Sequence, residues 1–361
     1  MPDARPDPLV SVVMIFLDVR KYMAEAIESV RAQSLSAWEL VLVDDGSSDG
    51  SRDIASSFVA RDPDRFCLVE HPGGQNLGTG PSRNLGMQVA RGRYIAFLDA
   101  DDVYEPERLE LPVEILEADS SLGVVLNREI YWRSWQSAGT TLQRLARRPD
   151  EVVGPAVPCR RVIPPPVLIA STLATSGAAM PAICSITFRR QAILDLGGIP
   201  EQFVTQYEDQ ALIAKLLLSC PAMAIEDCLA RYRQHDESLT HRAQETGEYR
   251  PGMHHPERQR FVRWLKDYAS SLGIDEPVLL GALDGELQTP RHRLALAPRT
   301  AWKRLRRLLL LGANALLPRR TVDWLILRDL ERQRADAART AAAHAAAIEV
   351  RLRTGRNRHQ T

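Results

Sequence analysis

The chain has 361 residues, 45% of them apolar and 25% charged, and its 46 basic and 46 acidic side chains cancel with histidine neutral. That length suits one large domain with an appendage, the composition excludes a disordered or fibrous chain, and the charge balance leaves no footprint for nucleic acid. Five scattered cysteines with no CxxC pair suggest neither a zinc site nor a disulfide framework, so a reducing compartment is expected.

The opening stretch, MPDARPDPLV, has no apolar run before a cleavage site, and no secretory signal is expected from it. Val10–Phe16 is a continuous β-branched run, the pattern of a strand covered on both faces. Tyr22–Gln33 follows with helical spacing, Ala26, Ile27 and Val30 sharing one face. Glu39–Val43 is strand-like and stops at DDGSSDG; Ile54, Phe58 and Val59 mark a second helix, and Phe66–Glu70 a third strand. Pro81 and Ser82 open a helix that Gly92 closes, the placing of Pro and Gly that helix ends favour. Tyr94–Leu98 reads as a fourth strand, and Pro106 as the start of another helix.

From Trp132 to Pro181 the pattern loosens into an irregular excursion, and the uncharged segment between Arg161 and Arg189 is too interrupted by proline and hydroxyl residues to span a membrane. Order returns with a strand at Ile183–Phe188 and an apolar helix at Gln210–Leu218. Strands alternating with helices imply a parallel sheet covered by helices, with ligand groups at the carboxyl ends of the strands.

Three acidic clusters stand at such strand ends or helix starts: Asp44-Asp45, Asp99/Asp101/Asp102 in LDADD, and Glu208-Asp209. Carboxylates crowded at a strand end repel one another unless a cation offsets them, and a hard divalent ion that also binds substrate phosphates suits such a set. Asp44 is expected to serve the turn after it. Between the first two clusters lies HPGGQNLGTGPSRNLG, residues 71–86, whose small residues let backbone approach a ligand and whose helix aims its amino end and Arg83 the same way. It matches neither a P-loop, which ends in GK[ST], nor a GxGxxG turn after the first strand.

Taken in order, VSVVMIFLDV, SVRAQSLSAWELVLVDDGSSDGS, NLGTGPSRNLGMQVARGRYIAFLDADD, ITFRR, LGGIPEQF and YEDQALIAKLLL resemble the family 2 glycosyltransferases, from Val10 to His235. The resemblance implies a GT-A fold, a Rossmann-like α/β arrangement of a mostly parallel sheet flanked by helices, over residues 1–250, followed by a helical extension over 251–361. It implies an inverting transfer of one sugar from a nucleoside diphosphate sugar to a hydroxyl acceptor, a glycan or lipid-linked precursor in bacterial surface polysaccharide or glycolipid synthesis. It assigns Asp45, Arg83 and Asp99 to the sugar nucleotide, Asp101 and His235 to a divalent metal, Mn²⁺ or Mg²⁺, and Asp209 to the catalytic base. The QxxRW signature of processive members is absent after Asp209, in keeping with single-sugar transfer. Where relatives read a hydroxyl residue and then Tyr-Asn after the first strand, Ile15-Phe16-Leu17-Asp18 stands here, which leaves the base of the donor open.

Two other readings stand beside this one: a catalytically silent sugar-nucleotide-binding scaffold, and a nucleotidyltransferase. The acidic set opposes the first, and the lack of a basic Gly-rich loop after strand one opposes the second. Near the end, Arg299–Arg320 carries seven basic and no acidic residues and reads as a basic amphipathic helix suited to an anionic membrane surface, with packing onto the catalytic domain or a partner helix as the alternative. The expected location is therefore cytoplasmic, with peripheral contact at the inner face of the membrane through 299–320.

Overall fold

A computed structural model describes residues 7–135, 150–155, 157–174, 181–239, 241–242 and 256–287. The 299–320 segment lies outside the described residues. The chain divides into two compact units, one of Met1–Pro155 with Cys159–Leu283 and one of Ala156–Pro158 with Asp284–Thr361. The first unit carries the fold described below.

Its strands are β1 (Val10–Phe16), β2 (Trp38–Asp44), β3 (Phe66–Glu70), β4 (Tyr94–Phe97), β5 (Val103–Tyr104), β6 (Val124–Trp132), β7 (Glu151–Val153), β8 (Val162–Ile163), β9 (Ile186–Arg189) and β10 (Ala222–Arg233). Nine α-helices are interleaved among the described residues: α1 (Arg20–Arg31), α2 (Ser51–Arg61), α3 (Thr79–Val89), α4 (Glu110–Ala118), α5 (Val167–Ala174), α6 (Arg190–Asp195), α7 (Glu208–Ser219), α8 (Pro256–Ser271) and α9 (Pro277–Leu287). The sheet runs β3-β2-β1-β4-β9-β6-β10-β5, with β7 paired to β6 and β8 to β10. Strands β3, β2, β1 and β4 are mutually parallel, and β10 is parallel to β6. Strand β9 is inserted antiparallel between β4 and β6. Two reversals restore direction, so β1, β2, β4, β6 and β10 all end at one edge of the sheet.

The reason these segments are strands is visible in their burial. Every residue of β2 and all but one of β1 are buried, as expected of central strands covered by helices on both faces. Helix α1 turns Met23, Ala26, Ile27 and Val30 inward onto the core shared with β1 and β2. Helix α3 packs on β1 and β2. Helix α7 is apolar nearly all round and buries Ala211 through Leu218.

Three expectations shift. The helix foreseen at Pro106 begins at Glu110, because the Glu105 N–H is already donated to the Leu229 carbonyl and the Pro106 carbonyl accepts from Ser34. The strand foreseen at Ile183 starts at Ile186, after a 3-10 turn over Ile183–Ser185. The excursion after Trp132 holds β7, β8 and α5: two very short strands and an eight-residue helix with no polar face to give it a period.

Candidate active site at the carboxyl edge of the sheet

The turn after β4 delivers Asp99, Asp101 and Asp102 to the edge where β2 and β10 also end. From α3, the buried Arg83 reaches across and donates through Nη2 to Asp99 Oδ1 at 2.8 Å. Its Nη1 forms an ion pair with Glu208 Oε1 at the start of α7. Burial works against the guanidinium's charge, but Asp99, Glu208 and Asp209 together hold its pKa above the ordinary value. Burial and the neighbouring Asp209 push the Glu208 carboxyl up to about 7, with Arg83 pulling the other way. One cation thus ties three elements of the chain into a single charged cluster.

Asp209, half-buried beside this pair, bonds only locally among the described contacts, accepting the Gln210 N–H at 2.7 Å. Burial raises its carboxyl pKa, and the Arg83 charge opposes that rise. A carboxylate with raised basicity and a free oxygen is the form a general base takes. The residue before the pair, Tyr207, holds a left-handed φ of 63°, a conformation that costs a non-glycine residue about 1–3 kcal/mol. Its ring stacks on Phe261 of α8 at 5.3 Å and 17°. The aromatic contact holds the strained turn from which Glu208 and Asp209 project.

Asp101 and His235 lie 134 residues apart in sequence, yet Asp101 Oδ2 sits 2.9 Å from His235 Nε2. The second His235 nitrogen, Nδ1, is buried with no partner among the described residues. The partly exposed Asp101 carboxylate and the buried His235 imidazole meet at the strand ends as a donor pair that fits Mn²⁺ or Mg²⁺. No three His, Cys, Asp or Glu side chains among the described residues converge as a ready-made cation cage. An ion held by this pair would need further oxygen ligands from outside the described side chains, such as phosphate or water.

Asp102 points the other way: it is fully buried, accepts the Arg233 backbone N–H at 2.8 Å, and has its carboxyl pKa raised well above the usual range by burial and by Asp101 and Asp99. Asp45 is also buried. Its carboxylate accepts the N–H of Leu77 at 2.8 Å and that of Gly78 at 3.0 Å, so it fastens the glycine-rich loop to the end of β2. Gly78, at φ 94°, presents that N–H from a backbone conformation that side chains rarely adopt. Gly80 lets α3 lie against the Phe203 carbonyl, where any Cβ would collide. Asp44 accepts the Ser47 N–H at 2.8 Å, the turn role expected of it. Asp18, where the sequence departs from its relatives, accepts the N–H groups of Ser48 and Asp49 and so clips the end of β1 to the loop after β2.

The edge thus gathers Arg83, Asp99, Asp101, Asp209 and His235, with Asp45 behind the adjoining loop. Sequence reading missed Glu208 as the partner of Arg83 and missed Arg233 altogether. The first had a local signal in the paired acids of YEDQ; the second had none beyond its place two residues before His235. Trp132 and Trp135 pack against Arg233.

A model of the family "Glycosyl transferase family 2" matches residues 11–157. Among curated proteins, an uncharacterized glycosyltransferase of Nostoc sp. is 37% identical over 121 residues, covering 34% of this chain and 37% of that protein. The putative teichuronic acid biosynthesis glycosyltransferase TuaG of Bacillus subtilis is 38% identical over 109 residues, covering 30% of this chain and 42% of that protein. The chain therefore spans about two fifths of the length of these curated relatives. Among solved structures, S. aureus TarS 1–349 in complex with UDP-GlcNAc has a TM-score of 0.53 at 18% identity, covering 77% of this chain and 70% of that one. The mannosyltransferase PcManGT of Pyrobaculum calidifontis, in complex with GDP-Man and Mn²⁺, has a TM-score of 0.52 at 18% identity, covering 97% and 88%. At that identity the structural likeness speaks for the fold, and the sequence matches speak for the family. The chain carries a family 2 glycosyltransferase domain, built on the GT-A fold.

Proposed function

We propose that the chain is an inverting glycosyltransferase that moves a single sugar from a nucleoside diphosphate sugar to a hydroxyl acceptor, in the synthesis of a bacterial surface polysaccharide or glycolipid. The observation that carries this reading is the gathering of Arg83, Asp99, Asp101, Asp209 and His235 from four separate parts of the chain onto one sheet edge. A structural core has no use for three carboxylates, Asp99, Asp101 and Asp209, left partly open to solvent around a buried arginine and a buried histidine. The solved neighbours bind UDP-GlcNAc and GDP-Man, and a curated relative is named for teichuronic acid biosynthesis, which supports the donor class and the setting.

In this reading Asp101 and His235 would hold Mn²⁺ or Mg²⁺, which would supply positive charge against the departing diphosphate, usually the largest electrostatic contribution in this kind of transfer. Arg83, anchored by Asp99 and Glu208, brings a fixed positive charge to the same side. Asp99 faces the ribose, and Asp45, by fastening the 71–78 loop, shapes the place of the base. Asp209 receives the acceptor's hydroxyl proton as its oxygen attacks the anomeric carbon from the face opposite the leaving group. Its raised proton affinity favours that transfer near neutral pH.

Residues 1–250 form the transferase domain in this proposal, and 251–361 a helical extension. The 299–320 segment lies against the anionic inner face of the membrane, where a lipid-linked acceptor would be presented. Among the described residues no helix is long and apolar enough to cross a membrane. The test is a panel of UDP-, GDP- and dTDP-sugars scored for Mn²⁺-dependent release of the nucleoside diphosphate. One donor hydrolysed well above the rest, and only with the metal, is the expected result; binding with no turnover of any donor would favour the scaffold.

A further inference from the structure

The end of β10 carries a residue that no part of the proposed chemistry uses. Arg233 is 3% exposed and makes three directed bonds, two from its side chain and one from its main chain. Its Nε donates to the Asp101 carbonyl at 2.7 Å, and its Nη2 to Glu25 Oε2 on α1 at 2.6 Å. Its backbone N–H donates to Asp102 Oδ1 at 2.8 Å. Three aromatic rings surround the guanidinium, with centroids 4.6 Å away for Trp132, 5.0 Å for Trp135 and 5.1 Å for Tyr22.

Two of those rings also hold His235. Tyr22 lies 4.6 Å from the imidazole and Trp135 6.3 Å from it, centroid to centroid. The intervening Gln234 is fixed as well, its N–H donated to the Trp132 carbonyl at 3.0 Å and its carbonyl accepting Trp135 Nε1 at 2.9 Å. The strand end that carries His235 and the turn that carries Asp101 touch directly through the His235–Asp101 pair, and β5, just after the turn, is paired with β10. Arg233 adds two further joints, its guanidinium to the Asp101 carbonyl and its main-chain N–H to Asp102.

We infer that Arg233 is a positioning residue, which sets the separation of Asp101 and His235 by bonding the main chain of one and standing two residues from the other. The inference rests on the reading that this pair holds a divalent cation. Only arginine meets the demands of the place. Its fork of donors reaches Asp101 and Glu25 at once, while its flat faces stack on the rings; a lysine ammonium offers neither the fork nor the plane. Outer groups that orient a metal ligand commonly change affinity 10–100-fold when removed.

The experiment titrates the full chain with Mn²⁺ alone, following free Mn²⁺ by electron paramagnetic resonance, with thermal unfolding recorded alongside. Arg233→Met keeps the bulk of the side chain inside the aromatic cage and removes its donors. It is expected to raise the Mn²⁺ dissociation constant about 10–100-fold while the protein still unfolds cooperatively. Arg233→Lys is expected to recover part of that loss. Glu25→Gln, at a side chain 54% exposed, loosens the far end of the guanidinium and is expected to weaken Mn²⁺ binding several-fold without threatening the fold. A merely structural arginine would lower the unfolding temperature and leave Mn²⁺ affinity of the folded protein as it was. A folded Arg233→Met with the parent's dissociation constant overturns the inference. Should that variant not fold, parent-like affinity in Glu25→Gln overturns it. If the parent itself takes up no Mn²⁺ while Asp101→Ala behaves identically, the cation-site reading falls and this inference falls with it.

Discussion

Replacing Glu129 with glutamine should make the protein more stable at pH 8 and leave it unchanged at pH 4. Glu129 on β6 is fully buried, its carboxylate meets the Ala182 N–H only at 3.5 Å, and its Oε2 has no hydrogen-bond partner among the described residues. Burial pushes its carboxyl up to about 7 from an ordinary 4.5, and the Ser185 hydroxyl and the distant charge of Arg108 offset only part of that. A carboxyl raised in the folded state favours folding below pH 4.5. That advantage is lost as pH rises toward 7, because the unfolded chain ionises first. Tenfold in proton affinity is worth about 1.4 kcal/mol, so the interval corresponds to roughly 3 kcal/mol. Glutamine mimics the protonated acid and has nothing to lose over that range. Urea unfolding of parent and variant at pH 4 and pH 8 measures the difference directly. The counter-argument also lies in the structure: Arg108 is fully buried and its side chain, among the described residues, bonds only neutral groups, the carbonyls of Cys184 and Ile186 and the hydroxyl of Thr187. If Glu129 is its through-space counter-charge, the glutamine variant will be the less stable protein at pH 8, and the reasoning is refuted.

Gly80→Ala forces α3 off the Phe203 carbonyl and should cost about 1–3 kcal/mol by overpacking, measured by denaturant unfolding. Phe261→Leu removes the stack on Tyr207, the edge contact with Phe203 and the tilted contact with Trp264; it should cost about 1–3 kcal/mol and lower kcat more than it alters donor affinity, because the strained turn before Asp209 loses its support. Ending the chain after Pro298 should leave donor hydrolysis intact but abolish sedimentation with anionic liposomes; equal sedimentation of both forms would remove the membrane contact from the account.

The half of the fold before Leu98 was legible because its physics is local. Central strands between helices need unbroken β-branched runs, and β1 begins and ends where its run does; the edge strand β3 also keeps the bounds read from its apolar residues. The later half was less so. Pro106 looks like a helix start, but the residues after it answer to Leu229 and Ser34, which are distant in sequence. Helix α5 is apolar on every side, and β9 is antiparallel where alternation with helices argues for parallel pairing. For the site, residue types at strand ends made the acidic clusters visible. Their pairing was not: nothing in YEDQ says that Glu208 turns to Arg83 while Asp209 stays open, and nothing in RYRQH says that the arginine grips the turn bearing Asp101.

The central claim is that Asp209, and not its neighbour, removes the acceptor proton while a separate set of groups holds the donor. Asp209→Asn keeps the shape and removes the proton acceptor, whereas Glu208→Gln weakens the anchor of Arg83. With the donor and acceptor found by the panel above, steady-state kinetics and donor binding by calorimetry on these two variants decide it. The account predicts that Asp209→Asn lowers kcat by about 10²–10⁴ with donor affinity nearly unchanged, and that Glu208→Gln acts mainly on donor affinity. Near-parental turnover by Asp209→Asn beside an inactive Glu208→Gln would contradict it.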